Sequence, residues 1–264
     1  MAKEAQSLKD AQIPTNLRLL LVLEEVARLG VPVKPAQLVD TLGLPKPTVH
    51  RLLQTAEEIG FLQRDLDGRS YGPGPRLRTL AVNTMSSEHL RTARLAIIKN
   101  VAETIGETCN LATPDREGMT YLDRVETKWP LRIQLPIGTQ VPFHCTASGK
   151  MYLSSLRSAP LNGVLSAHPL SEQTQKTISD PVALRAELKL IKEQGYATDD
   201  EEFMTGMAAL AVPVFDAQKR MLATLSVHAP IQRQSVQGLI AFVPCLKEGA
   251  ARLSELLLNQ DNSI

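Results

Sequence analysis

Cysteine, histidine and carboxylate side chains are where a chain of this composition would carry covalent or metal chemistry. Cys109, Cys145 and Cys245 are widely spaced and odd in number. That argues against a disulfide framework and against the paired spacing of structural zinc sites, and it fits a reducing cytosol. Cys145 or Cys109 with His144 or His228 and Asp199 would supply a nucleophile, a base and an orienting group, provided the fold brought them within hydrogen-bond reach. His144 and Cys145 are adjacent, and on a strand adjacent side chains point to opposite faces, which weakens that pair. The same residues define a metal-responsive alternative, but buried cysteines act mostly as small apolar residues. Ser148-Gly149-Lys150 lacks the glycine-rich run that a phosphate-binding loop places before its lysine. The expectation is therefore a protein that is not an enzyme and carries no metal or other cofactor.

A second constellation is basic and helical. In Leu42–Leu53, placing Val49, Leu52 and Leu53 inward turns Pro47, Arg51 and Gln54 outward, flanked by Thr48 and His50. Arg can grip guanine bidentately, Gln can pair with adenine, and the Thr methyl can meet that of thymine. Lys46 and Thr48 stand where phosphate contacts are expected. Arg64 and Arg69 flank a short tip, Asp65-Leu66-Asp67-Gly68, of the kind a wing places in a minor groove. The net charge is only +1, so a nucleic-acid surface must be local. These residues predict a double-stranded DNA partner.

Such residues need elements to position them. Leu19, Val22, Leu23 and Val26 recur at helical spacing until Gly30. Pro35 opens a short helix that Gly43 stops, and Pro47 opens a third that Gly60 closes. Phe61–Arg64 and Arg69–Tyr71 read as a hairpin around Asp-Gly. Helix, short helix, tight turn, helix and basic hairpin in that order predict a winged helix-turn-helix over 13–75, after a flexible tail at 1–12. A linker helix at 76–87 with a hinge near Ser86-Ser87 leads to a second domain at 88–260. The chain of 264 residues is comfortable for two domains, and no apolar run is long enough to span a membrane. The polar start is not a signal peptide, so the expected location is cytoplasmic.

The second domain mixes strands (Glu107–Thr113, Gly118–Glu126, Leu131–Leu135, Met207–Phe215, Met221–His228) with helices (Thr146–Leu156, Val182–Gln194, Gln237–Leu258). The fold class is α+β, with a mostly antiparallel sheet. Thr146-Ala147-Ser148-Gly149 opens a helix whose free N–H groups form a small anion site, or else an ordinary N-cap. Leu222, Thr224, Ser226 and His228 share one face of a strand, as do Met207 and Ala209, and could line a ligand cavity.

Six segments in order, LGLPKPTVHRLL, ETCNLAT, YLDRVE, FHCTASGK, GYATDDEE and AALAVPVFD, resemble the IclR family of bacterial transcription regulators. The resemblance covers nearly the whole chain. It departs at Pro47, where the family usually has Ser: the fixed φ suits a first helical turn, but a phosphate-contacting hydroxyl is lost. The resemblance implies a GAF-like effector domain that controls operator affinity, a small-molecule effector that is a small organic acid (a carboxylate) or an aromatic catabolite, and a homodimer or homotetramer. It also implies an effector pocket at Ile133, Val141, Ala147, Ser148, Asp199, Met207, Ala209, Ser226 and His228. His228 replaces the small hydroxyl residue of at least some members. The expected pose puts carboxylate oxygens at the Ala147–Ser148 helix start, with Ser226 and His228 bonding them from the facing strand.

Overall fold

The computed structural model describes residues 13–258 except 66, 86, 87 and 116. The expected tail, the centre of the wing tip and the expected hinge lie outside the described residues. The chain divides into two compact units at Ser87/Glu88.

In the first unit, α1 (Arg18–Leu29), α2 (Pro35–Leu42) and α3 (Lys46–Glu58) precede the antiparallel pair β1 (Leu62–Arg64) and β2 (Tyr71–Pro73), and α4 (Pro75–Met85) follows. Val22, Val26, Leu38, Val49, Leu53, Ala56 and Leu62 form one apolar core. Gly43 closes α2 at φ 64, a left-handed backbone that lets α3 start three residues later. The second wing strand begins later than Arg69. The Asp67 carboxylate accepts from the N–H groups of Arg69 and Ser70 at 2.8 and 2.7 Å, which holds both residues in the turn.

The second unit is a six-stranded, wholly antiparallel sheet of order β5-β4-β3-β8-β7-β6. Its strands are β3 (Thr108–Pro114), β4 (Met119–Val125), β5 (Gln140–Val141), β6 (Ala197–Asp200), β7 (Met207–Phe215) and β8 (Met221–Pro230). Cys109, Leu111, Leu210, Val212, Leu225 and Val227 face α5 (Glu88–Ile105) and α10 (Val243–Leu258). Ala112, Tyr121, Ala209 and Ala211 face α6 (Ala147–Ser155) and α8 (Pro181–Gln194).

Three expectations are corrected. Leu131–Leu135 is irregular and not a strand: the Leu131 and Ile133 carbonyls accept from the guanidiniums of Arg233 and Arg124 instead of from a ladder partner. The final helix is two, α9 (Val236–Ile240) and α10, with Ser235 capping the first by accepting from Gly238 N–H. His144 and Cys145 lie in the bend between β5 and α6, so strand alternation does not separate them. Three elements went unanticipated. α7 (Ser158–Ala167) buries no residue fully and so shows no clean apolar stripe. β5 is too short to show a pattern, and β6 carries two carboxylates, a type depleted in strands.

Candidate functional site

The first unit presents α3 outward. Lys46, Pro47, His50, Arg51 and Gln54 are exposed and Thr48 is half-buried, while Val49 and Leu53 hold the helix to the core. Gln54 donates to Glu58 at 3.0 Å on the same face. The wing divides its two arginines between tasks. Arg64 donates to the Glu57 carboxylate at 2.9 and 3.1 Å and to the Gly68 carbonyl at 3.1 Å, and its guanidinium lies 5.1 Å from the Tyr71 ring centroid. It braces the wing against α3. Arg69 is exposed at the tip, beside an Asp67 carboxylate held down to about 2 by its bonds from Ser70 and Arg69. One fold thus sets a basic helix face and an arginine-tipped wing side by side.

In the second unit the strand register draws a grid on the face beneath α6. One row runs Asp199, Ala209, His228, Thr108; the next runs Ala197, Ala211, Ser226, Asn110, Arg124. On the β6–β7 side the grid holds Ala197, Ala209 and Ala211 beside Asp199 and leaves room, while on the β8–β3 side His228, Thr108, Ser226 and Asn110 are polar and buried. Ser226 Oγ lies 3.2 Å from His228 Nε2 and 3.4 Å from the Asn110 carbonyl. The Tyr121 ring meets that of His228 edge-on, centroids 6.1 Å apart. Ser148 Oγ, Asn110 Nδ2 and Thr224 Oγ1 are buried with no hydrogen-bond partner. A buried polar atom left alone costs about 1–3 kcal/mol, so these three groups hold hydrogen-bonding capacity that the fold itself does not use.

Sequence reasoning missed Arg124. Leu111 pairs with Asp123 but Ala112 pairs with Tyr121, so Leu122 is an extra residue, a β-bulge. Strict alternation along β4 would have put Arg124 on the face opposite Tyr121; the bulge turns both inward. The Arg124 side chain is 4% exposed. It donates to Glu126 Oε1 at 3.1 Å, to Asn110 Oδ1 at 3.0 Å and to the Ile133 carbonyl. One N–H on each terminal nitrogen is then left over, which suits a carboxylate. The signal was present in YLDRVE, but a bulge cannot be read from one sequence.

The other groups take charges that follow from burial. Burial, then the neighbouring Arg124 charge, pushes His228 down to about 3, so it is a neutral hydrogen-bonding group and not a cation for a carboxylate. Burial and the Glu202 charge push Asp199 up to about 7, although its Oδ1 accepts from Glu202 and Phe203 N–H at 2.7 and 3.3 Å. Lys150 is buried and spent on Glu202 at 2.5 Å and Glu187 at 3.4 Å.

At the start of α6, Thr146 Oγ1 accepts from Gly149 N–H at 3.0 Å. The expected anion site of three free N–H groups is therefore reduced to those of Ala147 and Ser148. Position 149 must be glycine, because a Cβ would come within 2.2 Å of the Phe143 carbonyl oxygen. Ile133 and Met207 line a cavity of about 350 Å³ at the rim of the polar patch. Val141 stands apart, paired with Met119 at the other end of β4 from Arg124, and lines a different cavity of about 430 Å³.

The Cys–His arrangements do not form. Cys109 faces the α5 side of the sheet, away from His228. His144 Nε2 is 2.9 Å from the Ser171 carbonyl, and burial pushes the Cys145 thiol up to about 12. Among the described residues no three His, Cys, Asp or Glu side chains gather as metal ligands.

A winged helix-turn-helix joined in one chain to a sheet domain with a buried polar face defines a transcription regulator with a separate effector domain. The chain belongs to the IclR family: the model of the IclR helix-turn-helix domain matches residues 17–66, and that of the bacterial transcriptional regulator IclR C-terminal domain matches 82–255. It is 38% identical over 234 residues to the probable transcriptional regulator SauR of Cupriavidus necator, covering 89% of this chain and 93% of that one. Identity to the transcriptional repressor IclR of Escherichia coli is 30% over 224 residues, 84% of this chain and 82% of the relative. Among solved structures, an IclR homologue of Microbacterium hydrocarbonoxydans complexed with 4-hydroxybenzoate has a TM-score of 0.59 at 25% identity. That match covers 92% of this chain and 99% of the homologue. The family consists of transcriptional regulators, so the protein is not an enzyme.

Proposed function

We propose that residues 13–75 bind operator DNA through Lys46, Pro47, Thr48, His50, Arg51 and Gln54 of α3 and through the wing. Arg69 enters the minor groove while Arg64 holds the wing in place. Residues 76–87 connect to an effector domain over 88–260. A single recognition helix reads one half-site, so the working form in the cytoplasm is at least a dimer. Light scattering at micromolar concentration returning a 28.9 kDa particle in the free protein, and a single chain per duplex on DNA, contradicts this.

The effector is a small carboxylate that also carries a hydroxyl, the chemistry of the 4-hydroxybenzoate held by the M. hydrocarbonoxydans homologue. The single observation that carries this reading is Arg124, a cation turned by the bulge into a buried polar face with donors to spare. The carboxylate sits on Arg124, and Ser148, Asn110, Ser226 and His228 complete its hydrogen bonds. Ala209 and Ala211 leave the room, and Ile133 and Met207 line the entry. Val141 contributes to the wall behind Tyr121 and not to the polar contacts. Asp199 faces the ligand across the alanine rows.

Calorimetry with 4-hydroxybenzoate and with glycolate tests the pose. A charged hydrogen bond is worth about 1.5–3 kcal/mol, so Arg124→Gln is expected to weaken binding tenfold or more. Ser148→Ala is expected to weaken binding too, while raising the melting temperature of the free protein, because it removes an unpartnered buried hydroxyl. Wild-type affinity in Arg124→Gln overturns the pose.

A further inference from the structure

The bulge at Leu122 has a second effect, on the residue beside Arg124. With Arg124 turned to the ligand face, Asp123 points through the other side of the sheet, level with Leu111. There it meets α5. Its Oδ2 accepts from Arg94 Nε at 2.6 Å, and both side chains are fully buried. Its Oδ1 lies 3.5 Å from Arg91 Nε, within ion-pair range but without a hydrogen bond, and the Arg91 side chain is 49% exposed. The surroundings are apolar: Ile97, Ile98 and Leu111 belong to the same core.

A buried ion pair is weak evidence for stability, because desolvation offsets much of the attraction and apolar replacements are often neutral or better. Its position calls for another account. α5 is the first element that the chain enters on leaving the DNA-binding unit. Asp123 and Arg124 share a peptide bond, so one residue of each kind is gripped on either side of the sheet.

We propose that Asp123, with Arg94 and Arg91, is the positioning element through which effector occupancy at Arg124 is felt by α5. The proposal rests on the reading of Arg124 as the effector anchor. A carboxylate that takes the two remaining N–H groups of Arg124 draws the guanidinium toward the ligand, away from Asn110 Oδ1 and the Ile133 carbonyl, and so re-seats the bulge. The bulge carries the Asp123 carboxylate, which has one tight partner and one loose one on the same helix. Its turn between Arg94 and Arg91 is the two-state element that coupling requires. A strong effector in such systems shifts its partner's affinity by about 5- to 150-fold.

The test measures operator affinity by fluorescence anisotropy, on a duplex selected by the protein from a random pool, with and without 4-hydroxybenzoate or glycolate. Calorimetry follows the acid on the same samples. The double variant R94M/D123L removes both charges of the buried pair together. It is expected to bind the acid and, without the acid, the duplex within about twofold of wild type, while the acid-induced change in operator affinity falls to within twofold of none. Arg91→Gln alters only a half-exposed side chain and folds in any event; it is expected to reduce that change at least threefold. A wild-type response in either variant overturns the proposal. Loss of acid binding in either also overturns it, since Asp123 would then serve the site and not the coupling. A wild-type chain that binds neither acid overturns the effector reading itself, and this inference with it.

Discussion

His228, Asp199 and Arg124 show how burial, more than residue type, sets what a side chain can offer a ligand. In water a histidine is a candidate cation at mildly acid pH and an aspartate is an anion. Here burial keeps His228 neutral and lifts Asp199 to about 7, which leaves Arg124 as the fixed positive charge of the polar face. A pH dependence with a definite sign follows. Below about pH 7 Asp199 is protonated and can donate to a carboxylate; above it, Asp199 is charged and repels one. Affinity for 4-hydroxybenzoate or glycolate is therefore expected to fall as pH rises from 6 to 8.5, steeply beyond 7. Asp199→Asn should flatten the profile. His228 titrates far below that window, so it cannot produce the slope. A flat wild-type profile in calorimetry contradicts the placing of Asp199 at the ligand.

At the scale of elements, α3 and its wing act as one part. Arg64 ties the wing to Glu57 of α3, so the hairpin and helix present themselves to DNA together. Arg51 takes no part in that bracing; it is exposed on the outward face. Arg51→Ala is expected to weaken binding to a selected operator by about 1–3 kcal/mol with an unchanged circular dichroism spectrum. Binding equal to wild type removes Arg51 from the readout.

The same elements show what a single sequence can tell. Glycine and proline punctuation gave α1, α2 and α3 nearly to the residue, because a left-handed stop such as Gly30 or Gly43 is a local event. The alternation along β7 and β8 was legible, and it gathered Ser226, His228 and Ala209. The strand expected at Leu131–Leu135 has apolar character but no ladder, since arginines from distant elements take its carbonyls. β6 hides behind two aspartates, and the role of Asp199 depends on burial that only the folded sheet supplies. Above all, Arg124 escaped notice because one bulged residue decides which face it occupies. Register is a tertiary fact.

Across the whole molecule, one peptide chain joins a DNA-binding unit to an effector unit. Linkage sets a strict condition on that union: if the acid changes operator affinity by some factor, the operator must change acid affinity by the same factor. The most direct test of the central claim is a pair of titrations on the full chain. Operator affinity is measured by anisotropy with and without saturating 4-hydroxybenzoate or glycolate, and acid affinity by calorimetry with and without operator. An acid bound at Arg124 is expected to shift operator affinity at least about fivefold, and the two factors are expected to agree. Acid that binds in an Arg124-dependent way yet leaves operator affinity unchanged would contradict it.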